Sequence, residues 1–246
     1  MLPNYFDHAV ATRYDAGSPD MFAPEVLDPT VSFLADLAGP EGRALEFAVG
    51  TGRVALPLAG RGVRVSGIDL SAAMVARLRE KHGGLEVPVV VGDIATTRVD
   101  GTFGLVYLVF NTIGNLTSQD AQVACFENAA AHLEPGGCFV IETGVPGLRK
   151  LKPGERFHVF EHAESHVGVD EYDAVTQQMW SHHYNREDDG RYRRASVPFR
   201  FAWPAELDLM ARIAGLRLRE RWADWRRTPF TAESHAHVSV WEKPQT

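Results

Sequence analysis

The sequence predicts a doubly wound α/β fold: a mostly parallel sheet with helices on both faces, plus an antiparallel β insert after the fifth strand. Three observations predict it. Short apolar runs alternate with helix-like segments across residues 43–142, as βα units require. The run 103–110 (FGLVYLVF) is apolar nearly throughout, as a strand covered on both faces should be. Beyond about residue 150 the alternation gives way to consecutive strand-like runs joined by short turns, the pattern of an antiparallel meander.

The elements follow in order. Residues 43–49 (RALEFAV) make a short apolar first strand that runs into glycines. A short helix starts at 54–59, limited by Pro57. The second strand is 63–69 (VRVSGID). Ser71 is a good N-cap for a helix over 71–82, with Met74, Val75 and Leu78 on one face and Gly83-Gly84 as its stop. The third strand is 87–91 and the fourth 103–110. A helix over 118–133 follows, then the turn Glu134-Pro135-Gly136-Gly137 and a fifth strand over 138–142 (CFVIE). The insert is expected over about 155–203 within a single domain spanning 1–246. Its strands are 157–167, 175–185 and 191–203, with Asp188-Asp189-Gly190 as a hairpin signal. A helix over 205–214 closed by Gly215, a strand over 216–225 and a last strand over 237–241 complete the sheet.

Composition excludes several readings. A chain of 246 residues can bury a sizeable core without staples. The net charge of -7 disfavours bulk attraction to nucleic acid or an anionic membrane. No apolar run approaches the ~20 residues of a membrane span, and the polar, acid-containing stretch 1–15 does not read as a signal peptide. Cys125 and Cys138 form no Cys-x-x-Cys pair, so neither a disulfide framework nor a Cys-rich zinc site is expected, and a reducing cytoplasm fits.

The chemistry concentrates in Glu46-Phe47-Ala48-Val49-Gly50-Thr51-Gly52-Arg53, where a strand meets Gly50-x-Gly52 and a helix follows. Glycines there let the backbone turn tightly and approach a ligand, and the helix start offers free N–H groups. Asp69, at the end of the second strand, can accept hydrogen bonds from a ribose diol. Gly50-x-Gly52-x-x-Ala55 with Asp69 also satisfies a dinucleotide fingerprint, so an NAD-dependent oxidoreductase is one reading. Glu46 before the glycines and Asp93 after the third strand add further acids. Carboxylates at three strand ends disfavour a pyrophosphate. They suit a ligand that combines a sulfonium, an ammonium, a ribose and an adenine amine, which is S-adenosyl-L-methionine.

On these residues the chain resembles the class I S-adenosylmethionine-dependent methyltransferases of the small-molecule type. The family's acid-x-Gly-x-Gly-x-Gly motif corresponds to Glu46-x-Ala48-x-Gly50-x-Gly52, with Ala48 in place of the first glycine. The resemblance implies a Rossmann-like sheet of seven strands with the last antiparallel. It puts the ribose acid at Asp69, adenine neighbours at Leu70 and Ile94, and the adenine-amine acid at Asp93. Met74 joins the same cofactor set, and Val109-Phe110-Asn111-Thr112-Ile113 corresponds to the fourth motif. Tyr14, in Arg13-Tyr14-Asp15, stands where such enzymes often carry a tyrosine closing over the methionine end. Arg53 either holds the ligand carboxylate or pairs with Glu46. The expected activity is methyl transfer to an amine or hydroxyl of a small molecule; a non-catalytic regulatory protein that binds the same cofactor is the other class.

Histidines supply the candidate bases. On one strand, His158, His162, Glu164 and His166 would share a face, and His182 falls in the aromatic-rich run Trp180-Ser181-His182-His183-Tyr184. His162, His166 and His182 are the candidates should the acceptor need a general base. The Pro-Cys-x-x-Cys half of a zinc deaminase signature is missing, so no metal site is expected. Arginine pairs such as Arg193-Arg194 sit among acids, and Asn111-Thr112-Ile113-Gly114 replaces the Pro-Pro motif of base-modifying DNA methyltransferases, so nucleic acid is not expected as the substrate. On the third insert strand Ala195, Val197, Phe199, Phe201 and Trp203 share one face, which is expected to be buried. Pro198 marks that strand as an edge or a bulge. A homodimer contact, or a cap over the active site with Trp180 and Tyr184 near the acceptor, follows from this pattern.

Overall fold

The structure, a computed structural model, describes residues 8–17, 19–39 and 42–245, without the side chains of Ala9 and Arg13. Arg13 of the Arg13-Tyr14-Asp15 segment therefore lies outside the described side chains. The helices are α1 (His8–Gly17), α2 (Pro24–Ala38), α3 (Ala55–Ala59), α4 (Ala72–Arg79), α5 (Gln119–His132) and α6 (Pro204–Ile213). The first five strands are β1 (Arg43–Phe47), β2 (Arg64–Asp69), β3 (Val89–Val91), β4 (Phe103–Leu108) and β5 (Leu133–Gly144). The insert supplies β6 (Phe157–His162), β7 (His166–Asp173), β8 (Gln178–Arg186) and β9 (Tyr192–Arg200), and β10 (Arg217–Trp222) and β11 (Ala236–Glu242) end the chain.

Seven strands form one sheet in the order β10-β11-β5-β4-β1-β2-β3. Strands β1 to β5 pair parallel, while β11 runs antiparallel to both β5 and β10. That antiparallel strand removes the second mononucleotide half, so the dinucleotide reading loses its fold. Chain order reverses between β1 and β4, which opens a crevice at their carboxyl ends.

Helices cover both faces. On one, Phe126 of α5 and Met210 of α6 pack with Phe47, Phe139 and Trp241. On the other, Val31 and Leu34 of α2, Leu58 of α3 and Leu78 of α4 pack with Ala44, Tyr107, Val140 and Val238. Ser71 and Ser118 cap α4 and α5 by accepting the N–H groups of Met74 and Ala121. The Glu134-Pro135-Gly136-Gly137 turn lies inside β5. Its register to β4 shifts between Phe103 and Leu105, so these four residues bulge out between Leu133 and Cys138.

The insert is a four-stranded antiparallel sheet, β6-β7-β8-β9, not three strands. The expected first strand folds back on itself at Ala163-Glu164-Ser165, where the Ala163 N–H reaches the His166 carbonyl. His162 and His166 therefore sit on two different strands, which overturns the shared face expected for His158, His162, Glu164 and His166. The apolar face of β9 is not buried either: Ala195 and Trp203 are exposed, and Val197, Phe199 and Phe201 are half-buried. The most buried side chain near the end of β9 is Arg200, at 5% exposure, on the opposite face. Pro198 does lie on an edge strand.

Arg200 anchors the insert to the main sheet. Its guanidinium donates to Gln122 Oε1 (2.6 Å), Gln177 Oε1 (3.0 Å) and Glu206 Oε1 (2.7 Å). Gln122 Nε2 in turn donates to the Arg200 carbonyl (3.0 Å). Burial pushes the Glu206 carboxyl up, but the donors Gln177, Arg200 and Gln119 more than reverse this and hold it below its ordinary value. Removing one partner of such a pair strands the other. Arg200→Ala is expected to cost about 3 kcal/mol, read as a lower midpoint in urea unfolding at constant m-value.

Candidate functional site

The crevice is built on a loop of left-handed residues. Ala48, Gly50 and Gly52 have φ of 56°, 55° and 80°. At Gly52 a Cβ would lie 3.0 Å from Leu56 and Leu78, so only glycine fits both the conformation and the space. At Gly50 the Cε of Met74 is 3.5 Å from the Cβ position and floors the loop. Ala48 adopts the conformation that glycine prefers, which costs an alanine roughly 1–2 kcal/mol.

Asp69 holds this loop from the neighbouring strand. Its Oδ2 accepts the Gly50 N–H (2.7 Å) and its Oδ1 accepts the Ser71 N–H (2.7 Å). Burial raises its pKa, opposed by these two bonds. Each oxygen keeps a further lone pair, enough for a ribose diol. Leu70 follows, half-buried, and Met74 is buried in the first turn of α4.

Glu46 is 2% exposed and accepts the Tyr107 hydroxyl (2.9 Å), because parallel pairing sets Glu46 beside Tyr107. Burial pushes its carboxyl up to about 8, against Tyr107 and the Arg53 charge and reinforced by Asp69. Arg53 does not bond to Glu46. Its Nη1 lies 3.4 Å from the Met21 carbonyl and its guanidinium 5.5 Å from the Phe110 ring centroid. Tyr14 lies in the same electrostatic neighbourhood. Burial raises its pKa, Arg53 lowers it, and Asp15 and Asp69 raise it.

The N-terminal helix closes on the loop through Asp15, which accepts the Thr51 hydroxyl (2.6 Å) and pairs with Lys81 (2.6 Å). Lys81 also donates to the Thr51 carbonyl (2.8 Å). Asp93 is half-buried at the next strand end, its Oδ1 held by the Ala95 N–H (2.8 Å), while Ile94 points into the core. Phe110 is exposed with φ 59°, and its N–H donates to Glu142 Oε2 (2.9 Å). Asn111 is also left-handed, and its Oδ1 accepts the Gly144 N–H (2.6 Å), clasping the ends of β4 and β5.

Glu142, Asn111, Tyr107, Asp15 and Lys81 were not singled out in the sequence. Only Tyr107 had a local signal, as the one hydroxyl in an apolar strand; the others are recognised by partners distant in sequence.

The three candidate histidines are not together. His162 is exposed at the β6–β7 turn. His166 pairs with Glu161 (2.9 Å) and bonds to His183 (3.0 Å). His182 is buried on the opposite face of the insert, its ring nitrogens engaged by Ser196 (2.8 Å), Glu171 (3.3 Å) and Arg194 (3.0 Å). Trp180 and Tyr184 share that face by strand alternation.

The residues fit a ligand with a ribose and a cationic group: a glycine cradle, a buried acid beside it, and an aspartate with free lone pairs. Comparison with known proteins gives the same direction. A family described as "Methyltransferase domain" matches residues 44–137. The cypemycin N-terminal methyltransferase of a Streptomyces species is 28% identical over 251 residues, covering 98% of each chain. The dTDP-3-amino-3,6-dideoxy-alpha-D-glucopyranose N,N-dimethyltransferase of Streptomyces fradiae is 34% identical over 98 residues, 40% of this chain and 38% of that one. The structure of the CcbJ methyltransferase from Streptomyces caelestis superposes with a TM-score of 0.79 at 38% identity, over 88% of this chain and 89% of that chain.

Two measurements on the free protein test the loop. Ala48→Gly should raise stability by about 0.5–1 kcal/mol, as relief of left-handed strain exceeds the added chain entropy. Glu46 holds its proton in the folded state up to about pH 8 and from 4.5 upward loses it when unfolded. Its contribution is therefore full at pH 4.5 and is lost as the pH rises through 8. Glu46→Gln should flatten that decline, seen as a Tm that exceeds wild type by more at pH 8.5 than at pH 5.5.

Proposed function

The chain belongs to the class I S-adenosylmethionine-dependent methyltransferases, and from that premise we propose that it methylates an amine of a small molecule or of a peptide terminus. S-Adenosyl-L-methionine is its cofactor. When bound, it supplies a methyl group on a cationic sulfur. Glu46, Ala48, Gly50, Gly52, Asp69, Leu70, Met74 and Asp93 would hold it at the carboxyl ends of β1 to β3, with Tyr14, Arg53, Ile94 and Phe110 around them. Asp69 would take the ribose, and buried Glu46 would meet the positive end.

The observation that carries the amine reading is Glu142. It stands at the end of β5, half-buried, with Oε2 fixed by the Phe110 N–H (2.9 Å) and no hydrogen bond to Oε1 among the described residues. A carboxylate aimed at the rim of the crevice favours an acceptor that carries N–H donors. The relatives named for N-terminal and amino-sugar methylation support the same class. A neutral amine needs alignment and desolvation more than a dedicated base. A hydroxyl acceptor would require one, and of His162, His166 and His182, only His166 lies half-buried on the insert face that carries Tyr172 and Phe199. The half-exposed apolar face of β9 supports a homodimer contact, which would double the 27.2 kDa chain mass in light scattering. No helix among the described residues is long and apolar enough to cross a membrane, and a cytoplasmic site of action is consistent with two free cysteines.

Two assays test the reading. Asp69→Ala should weaken S-adenosylhomocysteine binding by about 1.5–3 kcal/mol in titration calorimetry, with NAD giving no heat in either protein. A screen of primary and secondary amines against alcohols, read by S-adenosylhomocysteine formation, should yield turnover with amines and a loss of acceptor KM in Glu142→Gln. Turnover only with alcohols would sink the amine reading.

A further inference from the structure

The insert carries a polar chain that the cofactor site does not use. On one face of its sheet, His166 Nδ1 pairs with Glu161 Oε2 (2.9 Å), and His166 Nε2 meets His183 Nδ1 (3.0 Å). The two imidazoles stack with centroids 5.2 Å apart. His183 Nε2 meets Ser181 Oγ (3.3 Å), and Ser181 bonds to Asp170. Tyr172 donates to Asp170 Oδ2 over a long 3.4 Å and itself accepts the Gly147 N–H. The chain thus runs unbroken from Glu161, 51% exposed, to Gly147, three residues beyond β5.

Its inner end lies on the rim of the crevice. A Cβ on Gly147 would touch the Tyr172 hydroxyl at 2.7 Å, and one on Gly114, just past β4, would touch Phe199 at 3.3 Å. Tyr172 and Phe199 belong to the same face as Asp170, Ser181 and His183. This face therefore rests on the loops after β4 and β5 that carry Phe110 and Glu142. The groups that face the chain are also fixed. His158 and His183 act on Asp170, and His166, Asp170, Glu161 and His182 act on His183. Burial followed by the His166 charge lowers the His183 pKa, and burial raises that of Asp170.

We propose that this chain is the proton exit of the methylation reaction, resting on the amine reading above: Asp170 takes the proton that the methylated nitrogen must lose, and Ser181, His183 and His166 pass it to Glu161 and solvent. The bookkeeping closes at every atom. The acceptor N–H bond breaks and its electron pair returns to nitrogen, as Asp170 gains the proton. Asp170 then gives a proton to Ser181 Oγ as Ser181 gives its own to His183 Nε2. His183 Nδ1–H passes to His166 Nε2, and His166 Nδ1–H passes to Glu161, which releases it to water. Each imidazole changes tautomer, and none need carry two protons at rest. A structural network would tolerate a break in the middle; a relay would not. Ser181, His183 and His166 are positioning and transfer groups that act through Asp170.

The test is a pH–rate profile of the wild-type enzyme and of Ser181→Ala, His183→Gln and Asp170→Asn, on an amine found in the screen. Ser181→Ala and His183→Gln should each lower kcat by roughly 10²-fold near neutral pH, with cofactor affinity and Tm near wild type. Added imidazole should restore His183→Gln, and higher pH should restore both. Folded variants with a wild-type kcat and pH profile overturn the relay, as does a loss that neither imidazole nor pH recovers. Turnover of alcohols but no amine overturns the amine reading alone, since methylating a hydroxyl also releases a proton and the same variants then report on the relay. Independently of any acceptor, nitrogen-15 NMR of the S-adenosylhomocysteine complex should show His166 and His183 titrating as a coupled pair that His183→Gln abolishes. Two imidazoles titrating independently would overturn the relay.

Discussion

The carboxylate of Asp69 is the joint on which the crevice depends. It sits at the end of β2, yet both oxygens are spent on backbone N–H groups of other segments: Gly50 in the loop after β1, and Ser71 at the start of α4. Charge-assisted bonds to backbone amides are the strong kind, and burial keeps water from competing. The consequence is geometric. Three left-handed residues, one of them an alanine, leave the loop after β1 without ordinary secondary structure to hold it. Asp69 supplies that hold from the adjacent strand, and the parallel register of β1 to β2 makes the reach possible. The cofactor's ribose is then received by a group whose position is already set.

A second, different anchor sets the insert. Arg200 reaches α5 through Gln122 and α6 through Glu206, with Gln177 closing the network. Every donor and acceptor of this buried cluster is a side chain or a carbonyl, so its worth lies in orientation as much as in stability. It fixes the end of β9, and β9 pairs through β8 and β7 to the residues that line the crevice rim. Local sequence on β6 to β8 need not carry the docking energy, which leaves those strands free to hold polar groups.

How much of this was legible follows from how local each cause is. The strand order of the first five strands, both serine caps and the glycine loop rest on signals within a few residues, and they were readable. The turn at Ala163-Glu164-Ser165 was not: it holds no glycine, proline, asparagine or aspartate, so a hairpin looked like one long strand and the histidine faces were misassigned. The burial of Arg200 was invisible for another reason. An arginine is buried only when partners satisfy it, and Gln122 and Glu206 lie far along the chain or across a turn. Glu46 was legible as an acid at a strand end, but its hydroxyl partner required the register of β1 against β4. Glu142 and Asn111 join segments more than thirty residues apart, and no spacing rule connects them.

The two halves of the crevice therefore differ in what holds them. Around the cofactor, the donors are mostly backbone amides: Gly50 and Ser71 on Asp69, Ala95 on Asp93, Phe110 on Glu142. A backbone donor survives any substitution that keeps the fold, so this half tolerates side-chain change except at the acids and glycines themselves. On the insert, the contacts are side chain to side chain, from Glu161 through two histidines and a serine to Asp170. There each link depends on a particular residue, and one substitution changes what the face can bind or carry. The physical expectation is that cofactor use is fixed by the fold, whereas acceptor choice and proton handling are set by a handful of side chains on a sheet that the main fold does not need for its own core.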